Sequence, residues 1–345
     1  MSESAPNADG RRTLWRMSAS YLRSRVVTTA ARLGIADALS DGEHSVDELA
    51  AACQSHAGAL RRLLRALATM GLVLESQPDR FALTELGRSL RKADPEGAWA
   101  EVVFWGDLLA ANWAHLTECV RSGASAWEVM ERQGVASPWF SDPEAAAIFG
   151  AVMGTDAAGS RAPFARAWDF STCRVVADLG GGGGALLLAI LAEHPNVRGM
   201  LVDRQDAIDR AAARFASAPL ASRCQLIAAD LAKEVPPGAD VHLLSAVLHA
   251  YTDERAAGIL RNCRSVLPAN GRLLVIEYVL PELFNRVDED LEERVMSDLN
   301  KLAVTGGQER SAAEWKSLLA SSGFELRGIT AVAGAQGSII EAAPR

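Results

Sequence analysis

The sequence predicts an α/β protein, with a doubly wound, mostly parallel sheet in its C-terminal half and a helical domain ahead of it. Three observations carry this. From residue 174 five short apolar runs, RVVADL, RGMLVD, CQLIAAD, DVHLLSAV and GRLLVIEYV, alternate with helical segments such as AIDRAAARFA and ERAAGILRNCRSVL. That alternation is expected of parallel strands joined by crossover helices. Five consecutive glycines, Gly180 to Gly184, stand where the first run ends and the apolar helix ALLLAILAEHP begins. Before residue 100, apolar positions recur at helical spacing and lead into a short hairpin.

Residues 13–40 predict a helix, with Leu14, Met17, Tyr21, Val26 and Leu33 at helical spacing and Gly34 interrupting it. SVDELAAAC opens on Ser45 and Glu48, the Ser-x-x-Glu of a capping box. HAGALRRLLRALATMGL is a further helix, closed by Gly71 at a C-cap position. LVLESQPDRFALTELGRSL predicts a hairpin around Gln77-Pro78-Asp79, then a helix. Three helices and a hairpin make a winged-helix pattern, which raises DNA binding through Arg61, Arg62 and Arg65. Residues 1–100, however, hold thirteen Lys and Arg against twelve Asp and Glu, too weak a basic footprint for phosphate binding. A packing or dimerisation module is the better expectation.

Composition narrows the class. A chain of 345 residues has room for two domains, and 49% hydrophobic with 23% charged residues is ordinary for a globular protein. A net charge of −8 argues against nucleic acid as a partner. The five cysteines, at 53, 119, 173, 224 and 263, form no CxxC pair and suit a reducing compartment. The polar start MSESAPNADGRR lacks the apolar core of a signal peptide, and no apolar run is long enough to span a membrane. The expectation is a cytoplasmic protein with no membrane partner. Residues 98–165 read as helical and aromatic, with Trp99, Phe104, Trp105, Trp113, Trp127, Trp139, Phe140 and Phe149. They predict either plain core or the lining of a pocket for a flat apolar ligand.

On a doubly wound sheet, ligands bind at the carboxyl ends of the strands. Two cofactor readings of the glycine run compete there. Gly180-x-Gly182-x-x-Ala185 fits a dinucleotide fingerprint. Asp178-x-Gly180-x-Gly182-x-Gly184 resembles the first motif of class I S-adenosylmethionine (SAM) methyltransferases. Asp203 closes the second strand, where a carboxylate can accept both ribose hydroxyls, and Asp230 ends the third, where an adenine amino group could lie. The last two runs, FELRGI and GSIIEAA, look like the terminal hairpin of the methyltransferase sheet, which favours SAM.

With these motifs, the chain resembles over nearly its whole length the homodimeric small-molecule O-methyltransferases of plant caffeate type and bacterial antibiotic pathways. LGIADAL, RRLLRALATMGL and FALTELG look like that family's dimerisation module. The resemblance implies a class I methyltransferase Rossmann-like sheet behind an N-terminal all-α/winged-helix dimerisation domain. The expected limits are 1–97 for the dimerisation domain, 98–166 for a helical linker lining the acceptor pocket, and 167–345 for the SAM-binding domain. It implies SAM contacts at Gly180, Asp203 and the Asp230–Leu231 pair. A further family position, often lysine, falls on Ser245. The family's base, a histidine after the fourth strand, falls on His249 in SAVLHAYTDERAAGIL. Its two flanking acids fall on Glu277 in LLVIEYV and Glu309 in TGGQERSAAEW. Acceptor-facing positions fall on Trp105, Phe149, Met153, Met296 and Asn300. Where the family continues its histidine with Asp-Trp, this chain has Ala250-Tyr251, and fold relatives repurposed to hydroxylation or pericyclic chemistry exist.

The trio makes chemical sense for a hydroxylated acceptor. A phenol with a pKa of about 10 is little ionised at neutral pH, and a neutral histidine with a pKa of about 6.5 can take its proton as the C–O bond forms. A carboxylate on the other ring nitrogen sets the tautomer, as in a triad. No metal is required. His44, His56, His115 and His194 show no ligand spacing, and His242 inside VHLLS is expected to be a satisfied core or rim residue. The rival readings are C- or N-methylation, SAM binding without transfer, and a SAM-sensing regulator.

Overall fold

The computed structural model describes residues 8–94, 96–134, 142–159, 161–216 and 220–345. Trp139 and Phe140 lie outside them. The chain divides into two compact units, Met1–Ala114 with Ser137–Val152, and His115–Ala136 with Met153–Arg345.

In the first unit, the helix Ala8–Arg32 runs to Gly34, which is left-handed (φ 66°) and so ends it before the short helix Ile35–Ala38. Ser45 and Glu48 form the capping box of Val46–Ala52. The helix Ala57–Thr69 buries Leu60, Leu64 and Leu67, one stripe at i, i+4 and i+7. Gly71 beyond it is left-handed (φ 76°). The strands Val73–Gln77 and Arg80–Leu83 pair as the expected hairpin, with His44–Ser45 as a third strand. Arg61 is tied to Asp79 in the hairpin turn at 2.6 Å, so it serves packing within the unit. Leu14, Trp15, Met17, Tyr21 and Leu22 on the first helix are all more than half exposed, an apolar stripe that the described residues leave uncovered.

The second unit is built on a seven-stranded sheet. Its strands are β1 (Val175–Leu179), β2 (Arg198–Asp203), β3 (Cys224–Ala228), β4 (Val241–Ser245), β5 (Arg272–Glu277), β6 (Phe324–Ala331) and β7 (Ser338–Pro344). Their spatial order is 3-2-1-4-5-7-6. β1 to β5 are parallel, and β6 and β7 close one edge as an antiparallel hairpin. The order reverses between β1 and β4, so the switch point lies beside the glycine run, where ligands of such sheets bind. β1, β4 and β5 carry almost unbroken buried residues because helices cover both faces. The helices Ala185–Glu193 and Asp253–Val266 bury Leu187, Ile190 and Leu191, and Ile259, Leu260 and Cys263, against it. Among the described residues no helix is long and apolar enough to cross a membrane.

One core residue departs from expectation. His242 on β4 is fully buried, but neither ring nitrogen has a hydrogen-bond partner among the described residues. It is a core residue without being a satisfied one. Burial pushes its pKa down to about 4, because nothing compensates the lost hydration of the charged ring. The unfolded ring, near 6.5, therefore binds more protons than the folded one between these values. Stability is expected to fall as pH drops from 6.5 through 4, by about 3 kcal/mol. Urea midpoints for wild type and His242→Leu at pH 7 and pH 4.5 check this. The leucine variant should gain about 2 kcal/mol on wild type between pH 7 and pH 4.5, and an unchanged difference refutes it.

Candidate active site

The glycine loop follows β1. Gly180, Gly182 and Gly184 all take left-handed φ, at 74°, 55° and 73°, where a side chain costs about 1–2 kcal/mol per residue. This is the alternation the motif requires. Gly181 is needed for a different reason. A Cβ there would stand 2.5 Å from the Asp178 carboxyl and from Leu201. Gly183 meets only the end of the Arg214 side chain, so neither constraint holds it. A Cβ on Gly182 would meet nothing within 4 Å, leaving that face of the loop open.

The carboxylates at the strand ends differ in their surroundings. Asp178 is buried, and neither of its oxygens has a well-formed hydrogen bond among the described residues. Burial pushes its pKa up to about 7; the Arg161 charge pulls it down and Asp203 adds to the rise. Asp203 accepts from Gly182 N at 2.8 Å and Arg204 N at 2.7 Å, so it ties β2 to the glycine loop with lone pairs to spare. Asp230 stands two residues beyond the end of β3, at Ala228, rather than on it. There it caps a turn by accepting from Ala232 N, and it is half exposed with Lys233 at 3.3 Å. Ala229 N donates to Asp203 O at 2.9 Å and binds the two strand ends together. Leu231 holds Asn262 through its carbonyl.

Ser245 ends β4, and its hydroxyl accepts from the Arg161 guanidinium. A cation thus stands beside Ser245 from a residue 84 positions earlier in the chain, which the sequence patterns did not mark.

The His249 turn follows directly. Ala246 is left-handed (φ 55°) and redirects the chain into the short 3₁₀ turn Leu248–Ala250. The backbone N–H groups of Val247, Leu248 and His249 all donate to Glu277 Oε1, at 3.0, 3.0 and 3.3 Å. The other oxygen, Oε2, lies 2.8 Å from His249 Nδ1. Glu309 Oε1 is 3.5 Å from the same nitrogen. Neither approach is aligned as a hydrogen bond, so the attraction is chiefly Coulombic. Both glutamate side chains are 1% exposed and the imidazole 16%. Nε2 has no protein partner among the described residues. Val247 also touches the glycine loop: a Cβ on Gly180 would stand 2.8 Å from it.

This setting changes the charge expected of His249. Burial alone lowers its pKa, but Glu277 and then Glu309 outweigh that, with Lys301 opposing them, and the ring is held up at about 9. The imidazole of the protein alone is thus protonated at neutral pH, where a neutral ring near 6.5 was expected. The low dielectric strengthens its attraction to the two carboxylates.

Tyr251, at the departure from Asp-Trp, is half buried and packs against the sheet core. The helix behind it is anchored through Asp253, which accepts from Arg310 Nε at 2.9 Å and Gln308 Nε2 at 2.8 Å. The acceptor positions divide between the units. Trp105 and Phe149 flank Phe104 in the first, at ring distances of 5.6 and 6.1 Å, and both are exposed. Met296 and Asn300 lie one helical turn apart on Glu289–Thr305 in the second, the former exposed and the latter buried. Met153 lies on the helix Pro143–Gly159, and its side chain is outside the description.

The strand order, the glycine loop at the switch point and the carboxylates on β2 and after β3 define a SAM-dependent methyltransferase. Comparison with known proteins makes the class specific. The O-methyltransferase domain family matches residues 113–325, and the O-methyltransferase dimerisation domain matches residues 15–93. The chain belongs to this O-methyltransferase family. It is 35% identical to the phenazine O-methyltransferase PhzM of Lysobacter antibioticus, over 96% of this chain and 95% of that one. It is 31% identical to phenazine-1-carboxylate N-methyltransferase of Pseudomonas aeruginosa, over 89% and 90% of the two chains. Among solved structures it matches the O-methyltransferase NcsB1 from neocarzinostatin biosynthesis, in complex with SAM and 2-hydroxy-5-methyl naphthoic acid. That match has a TM-score of 0.80 and 31% identity, and covers 93% of this chain and 96% of that one.

Proposed function

We propose that this enzyme transfers the methyl group of SAM to a hydroxyl of an aromatic or polyketide-like small molecule, with His249 as general base. The observation that carries this is the state of the imidazole. Its Nδ1 faces two buried carboxylates, its Nε2 has no protein partner among the described residues, and its turn touches the glycine loop. That Nε2 is the atom left to meet an acceptor.

The residues present fit the cofactor. The open face of Gly182 admits a ligand against bare backbone. The Asp178 carboxyl has no well-formed hydrogen bond among the described residues and is about half ionised at neutral pH in the protein alone. It is left for the ammonium of a methionine end, whose positive charge would favour its ionised form. The Arg161–Ser245 pair is left for the carboxylate. Asp203 retains lone pairs for ribose hydroxyls, and Asp230 with Leu231 is left for adenine. Gly180 and Gly184 hold the loop in shape. SAM supplies an electrophilic methyl carbon on a sulfonium. As the new C–O bond forms and the S–C bond breaks, the hydroxyl proton passes to His249 Nε2. Glu277 and Glu309 stabilise the imidazolium so formed. Met296 and Asn300 are the acceptor contacts we propose on the second unit; for Trp105, Phe149 and Met153 that role rests on the family resemblance alone. The exposed stripe on the first helix and the dimerisation domain support a homodimer, which light scattering checks.

A base must shed its own proton before it accepts one. At pH 7 a group with a pKa of about 9 is only about 1% deprotonated, and a cation beside the ring shifts it toward the neutral form. We therefore expect kcat/KM for SAM, which reports the free enzyme, to rise about tenfold per pH unit from 7 towards 9. Glu309→Gln should lower the midpoint of that limb, because one negative neighbour is gone. A flat profile between pH 6 and 10 rejects the role assigned to His249.

The acceptor is identified by incubating the enzyme with trideuteromethyl SAM and matched panels of phenols and arylamines, read by mass spectrometry. Label on phenolic oxygen is the expected result. Label confined to nitrogen, as the phenazine-1-carboxylate relative's name describes for that protein, overturns O-methylation.

A further inference from the structure

Resting on His249 as the base, we infer that Arg310 and Gly307 form a clamp that sets the position of the His249 turn, making them positioning residues for methyl transfer. The guanidinium of Arg310 is completely buried. Its Nη1 donates to Leu248 O at 3.2 Å and its Nη2 to Tyr251 O at 3.0 Å. Those two carbonyls bracket His249 and Ala250. Nε donates to Asp253 at the start of the next helix, Nη1 also reaches Gln308 O, and the guanidinium lies 5.3 Å from the Trp315 ring. A planar fork with five donors suits this spread of acceptors, which a lysine cannot match.

Gly307 closes the other side. A Cβ there would fall 2.1 Å from His249 O, 2.6 Å from Ala250 C and 2.8 Å from Tyr251 N. Its φ lies outside the left-handed range, so the bare Cα is required by this contact alone. Gly306 ends the preceding helix in a left-handed cap (φ 73°), which brings Gly307 to the turn. Glu309 then reaches the imidazole from the same short segment. The stretch from Gly306 to Arg310 thus supplies a steric wall, a charge and a set of donors to one turn. Glu277 grips that turn by its amides and Arg310 by its carbonyls.

The test uses Gly307→Ala, Arg310→Met, Arg310→Lys and, in parallel, His249→Ala. Each is measured for thermal unfolding, for SAM affinity and for kcat, and the first three also by ¹⁵N-histidine NMR titration of the His249 ring. Asp253, the ion-pair partner, is 64% exposed, so removing the guanidinium leaves its carboxylate in water. Folded Gly307→Ala and Arg310→Met proteins should keep their SAM affinity and lose about 100-fold in kcat, the scale of an ångström's misplacement. Their imidazole midpoint should move down, toward 6.5, as the ring leaves Glu277 and Glu309. Arg310→Lys should recover part of both. Wild-type kcat with an unmoved midpoint in either folded variant overturns the clamp, and so does a loss of SAM affinity in step with kcat. If Arg310→Met does not fold, Gly307→Ala decides alone. If His249→Ala keeps full turnover, the base assignment fails, while the midpoint shift still decides whether the clamp holds the ring.

Discussion

His249→Ala is expected to lower turnover about 10²- to 10⁴-fold, the usual contribution of a positioned general base, and to leave SAM binding unchanged. The residues assigned to the cofactor lie on the glycine loop, at the strand ends and at Arg161. The imidazole instead faces Glu277 and Glu309 through Nδ1, and its backbone carries the amide contact to Glu277 that any residue at 249 keeps. The alanine variant therefore removes the proton acceptor and leaves the cofactor's own contacts in place. It also strips Glu277 and Glu309 of their counter-charge, so a loss of stability is expected beside the loss of turnover. Calorimetric titration with SAM and single-turnover transfer separate the two effects. Full turnover in the variant would remove the base from the mechanism and favour a more nucleophilic nitrogen or carbon acceptor.

Glu277→Ala is expected to be the most damaging carboxylate substitution, costing about 3–5 kcal/mol of stability as well as turnover. Removing it leaves three backbone N–H groups without an acceptor and a buried imidazolium short of its closest counter-charge, and a broken buried pair costs that much. Glu309→Ala should cost far less. Among the described residues, Glu309 Oε1 accepts a long 3.4 Å bond from Ser297, and Oε2 has no hydrogen-bond partner. Glu277→Gln separates architecture from charge: its amide oxygen can still accept from the turn, while the lost charge lets the His249 pKa fall. Chemical denaturation should rank Glu277→Ala well below Glu277→Gln and Glu309→Ala. Equal losses for the two alanine variants would contradict the assignment of the turn to Glu277.

Much of the site was legible because it lies on local patterns. The strand-loop-helix passage around Gly180 and the carboxylate at Asp203 each follow from where an apolar run stops. His249, Glu277 and Glu309 became readable as a set through the family resemblance, and the structure brings one ligand atom from each within 4.8 Å of the others. Asp230 was displaced by two residues because strand ends follow hydrogen bonding rather than hydropathy, and β3 stops at Ala228. His242 looked satisfiable because sequence does not reveal which groups face a buried ring.

The sequence by itself determined the alternation of strands and helices, the left-handed alternate glycines and the histidine after β4. Those depend on repeat periods and backbone sterics that act within a few residues. Tertiary structure decided the rest: that Gly181 must stay bare over Asp178, and that Arg161 supplies the cation beside Ser245. It also decided that one oxygen of Glu277 holds three amides, that Arg310 grips the same turn from behind, and that His249 carries a proton at neutral pH. These are properties of pairs far apart in the chain and of burial. A group's partners and its hydration, which set its charge and its position, exist only once the chain has folded.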